Sequence, residues 1–483
     1  MILIKVKNKI KRMKYLIYLF VGLLLLISSC SKPKIIETEE IVDPPISTSK
    51  PNFIFYLADD QNQLDYGCYG NPNVSTFNID KLSDEGMRFT NFYTAEAICA
   101  PARSQIYTGM YPVKSGAMAN HIGVKPTIKS ITSYLKTAGY EVVLAGKSHV
   151  KPDNVFDWTY FFESQDHINL PLEAIDGYLK NVKKPFCLIL ASDFPHGPYP
   201  ATSNYTASDI FPLPYRGVNN PGYYQNIDDD NVQLGKILKM VDDYGLRDNS
   251  MFMYASDHGI SGKYSLKEQG LKVPFVVRWP GVITANTTAT TIHSFCDVLP
   301  TFLEAANTTI PASIDGKSFL KTLKGDKQEV NEYIYGVSTY QNIRTCRVFP
   351  GRMVRDARFK LIVNYNSHEV ANSNLGTNSI INEFIKIGAN AFPNSPYEEL
   401  YDLSVDPYQK NNLAKNTSYK TQKDKLTQAL KTWMIAQNDF LLTDKMPLLK
   451  PTLNPLDEQS QWNAVPANLE GKLTNDDYIQ LHY

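Results

Sequence analysis

Four stretches of the chain share one shape: an unbroken apolar run that stops abruptly at ionisable side chains. Residues 51–60 (PNFIFYLADD) end in Asp59 and Asp60. Residues 141–145 are followed by Gly146-Lys147-Ser148-His149, residues 186–191 by Ser192-Asp193-Phe194-Pro195-His196, and residues 251–255 by Ser256-Asp257-His258. A run without polar alternation, bounded by turn residues, predicts a strand buried on both faces of a parallel sheet. Helical spacing of apolar positions lies between these runs, over residues 79–85, 128–138 and 232–244. The alternation predicts an α/β fold, a large doubly wound mixed sheet flanked by helices. Ligands of open α/β sheets bind beyond the carboxyl ends of the strands. Four strand ends carrying Asp59 with Asp60, Lys147 with His149, His196, and Asp257 with His258 therefore predict one shared site.

After Trp279-Pro280-Gly281 the texture changes. A helix is expected over residues 297–306, and short strands from near Tyr333 onward, including 358–363 and 398–403, precede a helix over 418–436. This predicts a catalytic domain at 51–332 and a smaller C-terminal α+β domain at 333–442. The tail, 443–483, is rich in Pro and Asn and reads as irregular. A length of 483 residues suits one large domain with a smaller companion.

The first thirty residues are read separately from the fold. Lys5, Lys7, Lys9, Lys11, Arg12 and Lys14 precede an apolar run over 15–27, shorter than the roughly 20 residues a spanning helix needs. Ile27-Ser28-Ser29-Cys30 resembles a bacterial lipobox, which implies a signal peptide over 1–30, a lipidated Cys30 and a flexible tether over 31–50. The expected location is the bacterial cell envelope, with the protein lipid-anchored at the outer membrane or facing the periplasm. Besides Cys30, the chain has Cys68, Cys99, Cys187, Cys296 and Cys346, an odd number with no zinc spacing, so at least one thiol has a fate other than pairing.

Lys plus Arg and Asp plus Glu number 49 each. That balance excludes the one-sided basic field of a general nucleic-acid binder, so any anion must be met by locally placed cations. The most informative stretch is Cys99-Ala100-Pro101-Ala102-Arg103-Ser104. Pro101 suits the first turn of a helix, which puts Cys99 at or just before a helix N-terminus, where free N–H groups favour an anion. Arg103 adds a fork of donors matched to oxyanions.

Cys-x-Pro-x-Arg, with Ser104 and then Thr108-Gly109, resembles the signature of the type I, formylglycine-dependent sulfatases of the alkaline-phosphatase-like superfamily. Other landmarks of that family follow in order over roughly 51–440. The resemblance implies that a maturation enzyme oxidises Cys99 to formylglycine (3-oxoalanine), whose hydrate attacks sulfur with one hydroxyl and later expels sulfate with the other. It assigns Asp59, Asp60, Asp257, His258 and residue 99 to one divalent cation, and the mostly oxygen ligand set suits Ca²⁺. Arg103 and Lys147 would hold the aldehyde hydrate and the sulfate oxygens, His149 would be the base, and His196 with Lys263 the acid that protonates the leaving oxygen. Lys267 is the second choice for the lysine.

Met118-Ala119-Asn120-His121 and Met353-Val354-Arg355 resemble the heparan N-sulfatase and bacterial polysaccharide sulfatase branch, making His121, Arg352 and Arg355 expected substrate contacts. Glu399-Leu400-Tyr401-Asp402-Leu403 is widespread in sulfatases and bears on fold more than on substrate. The implied partner is a sulfated glycan, an algal polysaccharide such as ulvan or a heparan-type glycosaminoglycan with N-sulfate. Related enzymes with the same cysteine signature cleave phosphodiesters or phosphonate esters, and a silent surface lipoprotein that only binds glycans is the reading from another class.

Overall fold

A computed structural model describes residues 50–118, 120, 123–206, 218–338, 351–365, 396–443, 445–449 and 478–480. Cys30, His121 and Cys346 lie outside the described residues, as does the whole N-terminal segment to residue 49. The described residues fall within a single compact unit.

The large sheet has nine strands: β1 (Asn52–Ala58), β2 (Met87–Tyr93), β3 (Glu141–Gly146), β4 (Tyr160–Phe162), β5 (Phe186–Ala191), β6 (Ser250–Ser256), β7 (Lys272–Arg278), β8 (Thr287–Ala289) and β9 (His293–Ser294). Their order is β4-β3-β5-β1-β6-β7-β2-β8, with β9 also on β2. The strands from β4 to β6 run parallel, and β7 runs antiparallel to both β6 and β2. The sheet is therefore mixed, and the four apolar runs that ended in charge are its adjacent central strands β3, β5, β1 and β6.

Both faces of those strands are buried. From β1, Phe53, Phe55 and Leu57 pack with Ile106 and Tyr107 of the helix Cys99–Thr108 and with Leu135 and Phe302. Ile54, Tyr56 and Ala58 face the other way, toward Ile79, Leu82, Ile175, Leu234 and Ile237. Alternate residues of one strand thus serve two helical layers, which is why the sequence shows no polar alternation. The helix read from residue 232 begins much earlier, at Pro221, and runs to Asp243, with Asn220 accepting from Gly222 N as its cap.

A second, four-stranded antiparallel sheet follows, β10 (Ile334–Ser338), β11 (Gly351–Arg355), β12 (Phe359–Asn364) and β13 (Glu398–Asp402), in that order. The helix Lys420–Ala436 covers it with Leu426, Leu430, Trp433 and Met434. This C-terminal α+β layer shares its core with the large domain: Ala95, Tyr111 and Cys296 belong to the same cluster, and Val337 N donates to Ala95 O at 2.7 Å. Within the tail, Lys445–Leu449 pairs antiparallel with Tyr478–Gln480. Among the described residues no helix is long and apolar enough to cross a membrane, and Cys68, Cys99, Cys187 and Cys296 are all unpaired.

Candidate active site

The parallel strands bring their carboxyl ends to one edge, and backbone hydrogen bonds tie the segments that follow. Asp59 N donates to Phe194 O (2.8 Å), Asp257 N to Ala58 O (3.0 Å) and Lys147 N to Ala191 O (2.8 Å). Asp60 has a left-handed backbone (φ 66°), and its N–H donates to Asp257 Oδ1 at 3.1 Å. The extensions of β1, β3, β5 and β6 are thus stitched together before any side chain is considered.

Cys99 is the first residue of the helix Cys99–Thr108, preceded by an extended Ile98. Its Sγ lies 3.4 Å from Asp59 Oδ1 and 3.4 Å from His258 Nε2. Asp59, Cys99, Asp257 and His258 are all buried, and one ligand atom from each falls within 4.8 Å of the others. Asp257 Oδ2 is a buried oxygen that accepts no hydrogen bond among the described residues, although it faces the charge of Arg103 Nε at 3.3 Å. Converging carboxylates with an unsatisfied oxygen, joined by an imidazole nitrogen, form a donor set that fits a divalent cation. Asp60 stands beside these four; its Oδ1 is 3.1 Å from His258 Nε2, while its carboxylate also receives Lys263 Nζ at 2.7 and 3.0 Å.

The cations form the opposite wall. Arg103 is completely buried one turn into the helix, with Nη2 3.5 Å from Asp59 and Nε 3.3 Å from Asp257. Lys147 contacts Asp59 directly and lies 3.8 Å from Asp193. Burial alone would raise the pKa of Asp59, but Lys147 and Arg103 outweigh it and hold this carboxyl well below the usual range. Asp257 goes the other way, because burial is reinforced by the neighbouring Asp59. Burial, with Asp59 and Asp257 adding to it, also pushes the Cys99 thiol well up. Burial disfavours the charged form of Lys147 and Lys263, yet both are pushed up, by Asp59 in the first case and by Cys99 and Asp60 in the second.

Lys263 reaches Asp60 because its loop doubles back: a Cβ on Gly262 would stand 2.2 Å from Gly270 N, so only glycine permits the approach. Lys267 is not in this group; its ammonium contacts Glu399 and Tyr401 on the small sheet. His196 is partly exposed, with Nδ1 2.7 Å from Gly197 O and Nε2 3.6 Å from Asp60 Oδ2. His149 sits on the loop after β3, two residues beyond Lys147, with φ 54°.

Two expected substrate contacts lie outside this cluster. Arg352 is corrected to a structural residue: it is fully buried in β11 and paired with Asp439 at 2.6 and 3.0 Å, leaving no face for a sugar. Arg355 is also buried, against Tyr93 and Glu268 and the carbonyls of Asp356 and Ala357, away from the metal cluster.

Sequence reasoning missed the grip on the His196 loop. Asn226, on the helix Pro221–Asp243, directs Nδ2 at the carbonyls of Pro195 (3.4 Å), His196 (3.2 Å) and Pro198 (3.4 Å). One turn on, Asp230 Oδ1 accepts from Ser192 Oγ and Tyr56 OH, each at 2.6 Å. The available signal was two polar residues at i and i+4 within the buried stripe that holds Tyr223, Ile227 and Leu234.

A cysteine at a helix start, cationic side chains and a carboxylate–imidazole cluster on the carboxyl edge of a mixed sheet define a hydrolase of ester oxyanions, and comparison gives the family. The Sulfatase family model matches residues 51–308 and that of the N-sulphoglucosamine sulphohydrolase C-terminal region matches 256–374. The chain belongs to the sulfatase family and is a sulfuric ester hydrolase. It is 46% identical over 481 residues to an ulvan-active sulfatase of Formosa agariphila, covering 94% of this chain and 96% of that one. The human N-acetylgalactosamine-6-sulfatase is 26% identical over 56% of this chain and 66% of its own. The fold matches a solved structure in complex with its substrate D-glucosamine-2-N,6-O-disulfate, with TM-score 0.65 and 19% identity over 81% of this chain and 99% of that one. It also matches a 2-O glycosaminoglycan sulfatase, with TM-score 0.65 and 20% identity over 84% and 96%. The family uses formylglycine and a divalent metal.

Proposed function

We propose that this enzyme removes O-sulfate from ulvan or its oligosaccharides, with Cys99 as the formylglycine precursor and Ca²⁺ as the metal. The 46% identity to an ulvan-active sulfatase along nearly the whole of both chains carries the substrate. The position of Cys99 Sγ, 3.4 Å from both Asp59 and His258, carries the nucleophile. Asp59, Asp257, His258 and residue 99 would hold the ion, with Asp60 as the further carboxylate. When bound, the ion supplies positive charge beside the nucleophile, and the aldehyde hydrate supplies the attacking hydroxyl.

The chain's own residues do the rest. Arg103 and Lys147 fix positive charge beside residue 99, where the sulfate oxygens must lie while negative charge moves onto the leaving oxygen. His196 is fixed through Nδ1 at Gly197 O, which turns Nε2 toward Asp60; with Lys263 it delivers the proton to the leaving oxygen. His149, on the neighbouring loop, takes the proton that regenerates the aldehyde.

A second substrate reading, N-sulfate on a heparan-type chain, is favoured by the match of 256–374 to the N-sulphoglucosamine sulphohydrolase C-terminal model. Sulfate release from defined ulvan and heparan oligosaccharides, beside matched phosphate esters, separates the readings. Faster cleavage of the phosphate ester would overturn the sulfatase chemistry, and faster N-desulfation would overturn the ulvan assignment. Intact mass tests the nucleophile: coexpression with a maturation enzyme should exchange H₂S for O at Cys99, and an unchanged mass would favour a silent glycan-binding protein. We further propose that Cys30 is lipidated and tethers the enzyme at the bacterial envelope. Cys30→Ala should then move activity from the membrane to the soluble fraction; activity that stays with the membrane would end the anchor assignment.

A further inference from the structure

A cavity of about 520 Å³ opens between the edge of the large sheet and the small sheet, apart from the metal cluster. Asn62 and Gln63 line it from the segment after β1, Lys272 from the start of β7, and Arg355 and Gln409 from the C-terminal layer. Lys267, from the loop that carries Lys263, completes the wall.

Its charge is unbalanced. Among the described residues its lining holds three cations, Lys267, Lys272 and Arg355, and one carboxylate, Glu268. Lys267 is neutralised by Glu399, outside the cavity. Glu268 meets Lys360 Nζ at 2.9 Å and Arg355 Nη1 at 3.5 Å and is the compensating charge for Lys272, while Glu329 also interacts with Arg355. Three cations therefore share two carboxylates, and Glu268 also accepts from Tyr93 OH at 2.7 Å. The strain on these lysines is visible. Burial lowers Lys272 despite Glu268, and burial pushes Lys360 down to about 8 even with Glu268 in contact. An uncompensated cation in a desolvated wall is relieved by an anion.

Gln409 provides a separate sign. It is 8% exposed, and its Oε1 accepts from Glu268 N at 2.7 Å, but its Nε2 has no partner among the described residues. A buried donor without an acceptor, on a residue that lines a cationic cavity, leaves one hydrogen bond unmade. Arg355 is held rigidly by the carbonyls of Asp356 and Ala357, and so acts as a fixed charge. Lys272 and Gln409 are the groups left to bind.

We propose that this cavity is a second oxyanion site, which takes a carboxylate or sulfate on another sugar of the glycan whose sulfate ester is being cleaved. The assignment rests on the reading of the substrate as a sulfated glycan. The two sites lie within reach of one chain, because Asn62 follows Asp60 by two residues and Lys267 follows Lys263 by four. Four residues of extended backbone span at most about 14 Å, the scale of a short oligosaccharide. Tyr408 is also in the lining, an aromatic side chain of the kind that packs on sugars.

The test is calorimetric binding to the Cys99→Ala protein, which cannot turn over. The probes are a sulfated ulvan tetrasaccharide, the sulfated monosaccharide from its reacting end, and inorganic sulfate. The tetrasaccharide should bind at least about tenfold more tightly than the monosaccharide, as expected when a second anchor is linked to the first. Lys272→Met should remove most of that advantage and Lys272→Arg should restore it. Gln409→Glu keeps the acceptor for Glu268 N but sets a carboxylate against the anion, so it should remove the advantage even if Lys272→Met fails to fold. An advantage that survives in the folded variants overturns the second site. A Lys272-dependent affinity for inorganic sulfate as tight as the tetrasaccharide gain overturns the glycan as occupant, in favour of a free anion. Failure of the tetrasaccharide to bind at all refutes the substrate reading instead, and sulfate release by the mature enzyme checks that reading independently.

Discussion

Replacing Asn226 by Ala should slow catalysis without touching the substrate. Its Nδ2 faces three carbonyls of the segment that carries His196, at 3.2 to 3.4 Å, and its two N–H groups can satisfy two of them at a time. At about 1 kcal/mol net per hydrogen bond the grip is worth about 2 kcal/mol. If that free energy is lost to local release of the loop, the equilibrium constant for holding His196 in place falls by about thirtyfold, since about 1.4 kcal/mol is a factor of ten, and the populated fraction falls by up to that factor. The expected result is a kcat/KM lower by about ten- to thirtyfold, with most of the change in kcat, because Asn226 acts through the proton donor. Asn226→Asp keeps the size but turns donors into an acceptor against three carbonyls, so it should be at least as damaging. Sulfate release gives the rates, and a thermal melt separates local from global loss. The limb of the pH–rate profile set by the leaving-group acid should shift as well, which a general loss of stability would not cause. If both variants fold and keep kcat/KM within twofold, the loop does not depend on Asn226.

Three further outcomes are expected. Asp439→Ala strands the fully buried Arg352 and should cost about 3 to 5 kcal/mol in a urea unfolding curve; a loss below about 1 kcal/mol would mean that Arg352 finds another partner. Burial raises Asp230 from 3.8 to about 7, so between those values the folded enzyme keeps a proton that the unfolded chain gives up. Its contribution is full below about pH 4 and declines up to about pH 7, by at most about 4 kcal/mol, so Asp230→Asn should gain on the wild type across that window; a pH-independent difference between the two unfolding curves would contradict this. Removing divalent ions with a chelator should abolish sulfate release and lower the melting temperature, and Ca²⁺ at about a hundred times its Kd should return about 2.7 kcal/mol. Recovery with Mg²⁺ but not Ca²⁺ would contradict the calcium assignment.

The central sheet was legible because β1, β3, β5 and β6 are buried on both faces, and that burial writes an uninterrupted apolar run into the sequence. The site was legible for the same reason, since each run ends at the residues that meet. β2 was not: Met87-Arg88-Phe89-Thr90-Asn91-Phe92-Tyr93 mixes polar residues into its apolar positions, and its register shifts against β7 between Phe89 and Phe92. The start of the helix at Pro221 was hidden because Asn226, Asp230 and Asn231 are polar yet buried, held by tertiary partners that no local pattern announces. The burial of Arg352 depended likewise on Asp439, which lies 87 positions away. Charged residues at strand ends can be read from local sequence; a charge neutralised from another element cannot.

The backbone bond from Val337 to Ala95 and the packing of Trp433, which stacks on Tyr335, against Tyr111 join the C-terminal layer to the stretches just before and just after the helix Cys99–Thr108. A scanning calorimeter should accordingly record one endotherm rather than two for these layers. It also follows that neither half is a natural fragment: a nonsense codon after β9 would leave the nucleophile helix without the floor on which it rests.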